Sequence, residues 1–106
     1  MNDLELCIKF AELEDVDYLV YRGNNLLYPN DQGYMVENGV TCAWYNPITD
    51  LALNCAARDK YKVEVDYSMH NAAIYFPAIF NEVNFKTYSD IPRAVIACIL
   101  KSKGLL

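Results

Sequence analysis

Seven residues near the middle of the chain, Trp44-Tyr45-Asn46-Pro47-Ile48-Thr49-Asp50, read as a strand delivered straight into a capped helix. Asn46 is a favoured N-cap, because its side-chain oxygen can accept from a first-turn amide that lacks a partner within the helix. Pro47 then falls at the first helical position, where a missing N–H costs nothing and a fixed φ helps. Asp50 adds negative charge in the first turn, where the helix dipole favours it. Behind it, Ile48, Leu51, Ala52, Cys55 and Ala56 recur at helical spacing and form one apolar face, with Asn54, Arg58 and Lys60 off it.

On either side of this junction the periodicity changes character. From Asn2 or Asp3 to Glu14 the pattern is helical: Leu6, Phe10 and Leu13 make one apolar row, flanked by Leu4, Ile8 and Ala11. Residues 16–21 alternate and read as a strand, residues 22–25 supply turn chemistry, and Leu26-Leu27-Tyr28 reads as a second strand. Residues 30–39 read as loop, and residues 40–45 return to strand. Past the central helix, residues 62–67 alternate strictly, Ser68-Met69-His70-Asn71 reads as a turn, and residues 72–76 form another strand. Pro77 removes a ladder donor and predicts an edge or a bulge for that strand. A short strand is expected around residues 83–86. Ser89 or Asp90 caps a last helix, with Ile91, Val95, Cys98 and Ile99 as its stripe, Ile96 and Leu100 widening it, and Gly104 stopping it. The expectation is a single α+β domain over residues 1–106. Three helices would pack on a mostly antiparallel sheet of four to six strands, in an alpha-beta-alpha sandwich arrangement.

Composition narrows the function classes. At 106 residues and 54% hydrophobic content the chain can bury a continuous core. No apolar run reaches the roughly 18 residues of a membrane-spanning helix. Asp3 and Glu5 stand where a secretory signal would carry Lys or Arg, so a cytoplasmic protein is expected. Cys7, Cys42, Cys55 and Cys98 lie far apart with no Cys-x-x-Cys pair, which reads as reduced core thiols and implies no metal site. Net charge is −5, unevenly spread. Residues 1–53 hold nine acids against Lys9 and Arg22, whereas residues 54–106 hold five acids against seven bases. So acidic a first half opposes direct nucleic-acid binding, which needs a basic face. It suits a partner with a basic surface.

Catalytic chemistry is not spelled out. His70 is the sole histidine and lies in the turn, where a solvent-facing role is expected. The acid pairs Asp15/Asp17 and Glu64/Asp66 read as solvated strand faces, and the four glycines form no phosphate loop. No catalytic residue and no cofactor is assigned. Nine tyrosines are a stronger signal, since tyrosine buries large area at low entropic cost in interfaces. Tyr28, Tyr34 and Tyr45 gather with Trp44 and Met35 around the central loop. The contact residues expected from this are Tyr28, Asp31, Tyr34 and Glu37.

Three motifs together resemble the phage ABA sandwich domain family of small bacteriophage-encoded alpha-beta-alpha proteins. Met1-Asn2-Asp3-Leu4-Glu5-Leu6 is similar to its Met-Asn-Asp-x-Glu-Leu opening, and residues 45–50 to its aromatic-Asn-Pro-x-Thr-Asp box. Arg93-Ala94-Val95-Ile96 is similar to its closing helix. The chain departs from the pattern in lacking the Gly-Asp-Ala segment that often follows the box, and residues 66–88 have little counterpart. The resemblance implies a bacteriophage origin and a layered α/β fold, and it imports no active site. The function expected is that of a small acidic accessory protein binding a host or phage protein without catalysis. An anti-CRISPR-like inhibitor of a host defence or regulatory factor is its concrete form. Two alternatives stay open: a homo-oligomeric assembly protein whose last helix packs across a symmetry axis, and a small-molecule or nucleotide-binding module.

Overall fold

All three helices stop in the same way, and the first two stops decide where the next strands can begin. In this computed structural model, which describes residues 2–21, 25–27, 44–74 and 81–106, helix α1 spans Asp3–Leu13, α2 Leu51–Lys60 and α3 Ile91–Ser102. After α1 the amides of Asp15 and Val16 reach back to the carbonyls of Glu12 (3.2 Å) and Ala11 (2.8 Å). After α2 those of Lys62 and Val63 reach Asp59 (3.4 Å) and Arg58 (3.0 Å). Following α3, Gly104 and Leu105 reach Lys101 (3.1 Å) and Leu100 (2.9 Å). Each pair is the double closure of a Schellman motif, which needs one left-handed residue. Asp15, Lys62 and Gly104 supply it, at φ of 55°, 58° and 71°. Only the last is glycine, so only that stop is visible in the sequence. The strands expected over 16–21 and 62–67 shorten accordingly to β1, Leu19–Tyr21, and β4, Glu64–Asp66. Val16 and Val63 give their amides to the caps and cannot join a ladder.

The chain divides into two compact units, Met1–Asn46 and Pro47–Leu106. In the first, the Asn2 side chain caps α1 by accepting from the Glu5 amide at 2.8 Å. Leu6, Cys7, Phe10 and Ala11 are the buried residues of α1, which packs against β2, Asn25–Leu27. Strand β3 is only Trp44–Tyr45. The sheet runs β1-β2-β3, all antiparallel, with Leu19 opposite Leu27 and Leu26 opposite Tyr45. Leu26 and Tyr45 are buried.

In the second unit, β4 pairs with β5, Asn71–Ile74, which pairs with β6, Asn81–Asn84, again antiparallel. Helix α3 packs on β5, β6 and α2. All seven of its residues from Ala94 to Leu100 are buried, a wider face than the expected stripe. The α+β class with three helices is observed. The strands, however, form two three-stranded sheets among the described residues and not one sheet of four to six. Each strand pairs with a hairpin neighbour, and β3 passes at once into the turn before α2. Among the described residues β5 lies between β4 and β6; Pro77, from which an edge or a bulge was expected, lies outside them.

The start of α2 differs from the sequence reading. Asp50, in extended conformation (φ −81°, ψ 106°), is the N-cap, and its carboxylate accepts from the amides of Ala52 (3.0 Å) and Leu53 (3.3 Å). Residues 47–49 are a separate turn. Asn46 instead accepts from the Cys7 thiol at 3.6 Å. With the helix beginning four residues later, its buried face changes too. Leu51 is 71% exposed, and Ala52, Cys55 and Ala56 are exposed, whereas Asn54 and Ala57 are buried. Asn54 is admitted to the interior because its amide donates to two carbonyls, Pro47 O and Pro92 O, each at 2.9 Å.

Removing that amide in Asn54→Ala strands two interior carbonyls and is expected to lower stability by roughly 2 kcal/mol, read from urea unfolding. Lys62→Gly relieves a left-handed lysine and is expected to raise stability by about 0.5–1 kcal/mol in the same measurement, after the entropy glycine adds to the unfolded chain.

Candidate binding surface

The hairpin between β4 and β5 places chemistry on one end of its sheet. Four residues, Tyr67-Ser68-Met69-His70, form the turn. Asp66 organises it: one carboxylate oxygen accepts from the Ser68 amide (3.0 Å), the Ser68 hydroxyl (2.8 Å) and the Met69 amide (3.0 Å). The turn closes through His70 at φ 53°, a left-handed position that histidine tolerates better than most residues. Its carbonyl accepts from the Phe85 amide at 2.8 Å, which extends the β5–β6 pairing by one step.

That extra step sets His70 opposite Phe85, and their rings stack at 5.5 Å with an interplanar angle of 16°. Tyr88, from the 3₁₀ turn Tyr88–Asp90, meets His70 edge-on at 5.7 Å and Phe85 at 6.3 Å. Tyr67 meets Tyr88 at 5.5 Å and 88°. Such ring pairs contribute about 0.5–1.5 kcal/mol each beyond their burial. Phe85 is buried, but Tyr67 (49%), Tyr88 (59%) and Met69 (67%) are largely exposed, as is His70. The result is a fixed group of rings presented to solvent.

Beside it lies a cleft of about 290 Å³ between the end of β6 and the first turn of α3, lined by Val83, Asn84, Phe85, Lys86, Asp90, Arg93 and Ala94. The Asp90 carboxylate accepts from the Thr87 hydroxyl at 3.1 Å. Asp90 also occupies the N-cap position of α3, without a side-chain cap bond. A second concavity, about 280 Å³, is lined by Arg58, Asp59, Lys62, Val63 and Glu64. Nearby in sequence, Tyr61 carries Lys60 and Lys103 over its ring at 5.4 and 5.6 Å.

The thiols follow the sequence reading in part. Cys7 and Cys98 are buried, but Cys55 is exposed with the rest of its helix face. The Cys98 thiol points at the Asn81 carbonyl (3.6 Å), and burial pushes its pKa up to about 11, so it stays protonated at neutral pH. Among the described residues no three His, Cys, Asp or Glu side chains gather as a metal site. No helix among them is long and apolar enough to cross a membrane.

Tyr28, Asp31, Tyr34 and Glu37, the contact residues expected from sequence, lie outside the described residues, as do Met35 and Cys42. Tyr45, grouped with them, is buried. The ring group was missed because Tyr67 reads as the end of a strand and the segment before Tyr88 has no clear period. Its one available signal was the turn string 68–71 together with the spacing of Phe85 and Tyr88. No protein-family model, curated protein or solved structure matches this chain.

Hydrogen bonding, led by the Met69 amide and the Ser68 hydroxyl, holds the Asp66 carboxyl below its ordinary 3.8. The unfolded chain therefore takes up the proton first as pH falls. The stabilisation from Asp66 is complete above 3.8 and fades as pH drops from there through the folded value. The difference in urea midpoint between wild type and Asp66→Asn is expected at neutral pH and should shrink below pH 3.8.

Proposed function

We propose that this chain acts without catalysis, by binding another protein, and that the ring-bearing end of the β4–β6 sheet is a contact surface. The observation that carries this is the arrangement of Tyr67, Met69, His70 and Tyr88. They are exposed together, yet held in place by ring contacts and by the Asp66-bonded turn. Rigid, exposed aromatics lose little entropy on being covered, which is why such residues dominate binding energy.

Further support comes from sequence. The acidic first half favours a partner with a basic surface, with Tyr28, Asp31, Tyr34 and Glu37 as the proposed contacts there. The resemblance to the phage ABA sandwich family supports an accessory role in a bacteriophage, acting on a host or phage protein inside the host cell. Inhibition of a host defence or regulatory factor is the concrete form of this proposal. A symmetric assembly through the last helix has less to recommend it, since Ala94 to Leu100 are already buried within the chain.

The test uses the full chain as bait in host lysate at low salt, beside a Tyr67→Ser/Tyr88→Ser variant whose fold is checked by circular dichroism. The proposal expects a protein retained by wild type and reduced roughly tenfold or more on the variant, the loss typical of removing two hot-spot aromatics. Equal retention by both baits would remove the rings from the contact, and an empty wild-type lane would end the reading.

A further inference from the structure

The tyrosines of the second unit differ in what lies over their rings. Tyr61, which follows α2, already has cations of its own chain against it, Lys60 at 5.4 Å and Lys103 at 5.6 Å from the ring centre. Tyr67 meets Tyr88, and Tyr88 meets His70 and Phe85. Among the described residues no lysine or arginine lies over Tyr67 or Tyr88, although both are about half exposed.

The strands beneath these rings carry full charge of one sign. Between Val63 and Phe85 the sequence has Glu64, Asp66 and Glu82 but no lysine or arginine, with Lys62 and Lys86 just outside. The register sets Glu64 opposite Ala73 and Ala73 opposite Glu82. Residues two apart on a strand share a face, so Asp66 joins the other two carboxylates on one side of the sheet. Asp66 directly precedes Tyr67. Its three bonds all go to Oδ1, and Oδ2 accepts nothing among the described residues. Ile74 and Asn81, where the description of this sheet breaks off, are paired at the end opposite the rings.

An exposed tyrosine face attracts a cation through its quadrupole. Guanidinium suits such a face better than ammonium, being planar and weakly hydrated. Carboxylates on the adjoining strands steer a positive segment towards it. We propose that the ring end recognises a basic segment of the partner protein, an arginine of which lays its guanidinium on the Tyr67 and Tyr88 rings while Asp66, Glu64 and Glu82 attract the segment's charge. This rests on the protein-binding reading above and names the side chain that the rings receive.

The probe is a set of three unstructured Gly/Ser peptides carrying arginine, lysine or glutamate at the same positions, titrated onto the full chain and followed by nuclear magnetic resonance. The arginine peptide is expected to move the ring resonances of Tyr67, His70 and Tyr88, to bind several-fold tighter than the lysine peptide and to weaken as salt rises. The glutamate peptide should leave those rings still. Tyr88→Leu, which keeps an apolar side chain, should cost the arginine peptide roughly threefold, and Glu64→Gln roughly twofold. The peptide comparison uses the wild type alone, so it stands if a variant folds poorly. Arginine and lysine peptides that bind alike, or an arginine peptide that leaves Tyr67 and Tyr88 still, would overturn arginine recognition. In the lysate experiment, excess arginine peptide should displace the captured protein. Capture that needs Tyr67 and Tyr88 but resists the peptide keeps the contact surface and removes the arginine, whereas an empty wild-type lane removes both.

Discussion

One interior amide fixes the geometry on which the second unit depends. Asn54 is the buried polar side chain among the described residues, and its two donated bonds join the turn before α2 to the first turn of α3. Leaving either carbonyl unpaired in the interior would cost more than most apolar contacts return. The position of α3's first turn is thereby set relative to α2. That turn bears Arg93 and follows directly on Tyr88 and Asp90, so the cleft wall and one ring of the exposed group descend from the same constraint.

Much of this architecture is written locally, and some is not. Helix α3 was legible because its apolar residues leave no polar face to place outward, and α1 because Asn2 and Glu5 sit at cap spacing ahead of an apolar row. The start of α2 was misjudged because Asn46 and Asp50 are equally good capping residues. The choice fell to Asp50, which meets two amides, while Asn46 is taken up by Cys7. Its apolar face was misread for a different reason: a hydrophobic pattern shows which residues could be buried, and Asn54 is buried by hydrogen bonding instead. The left-handed stops at Asp15 and Lys62 leave no mark in composition at all. The ring group depends on His70 meeting Phe85 across two strands, a pairing that exists only once the register is set.

The helix ends also differ in charge. The last turns of α2 and α3 hold Arg58, Lys60 and Lys101, which complement the helix dipole, whereas the last turn of α1 holds no base. Glu12 there accepts from the Tyr18 hydroxyl at 3.1 Å, a bond that ties the exit of the helix to the approach to β1. Local hydrogen bonds thus take over at a terminus where electrostatics does not help.

The ammonium of Lys101 over the Glu82 carbonyl has a consequence for the protein in a crowded solution. Outer strands of identical molecules tend to zip together into open-ended ribbons, and a positive charge seated on the rim interrupts that growth. Lys101 thus sets a charge on the described rim of β6, a feature that opposes such growth there.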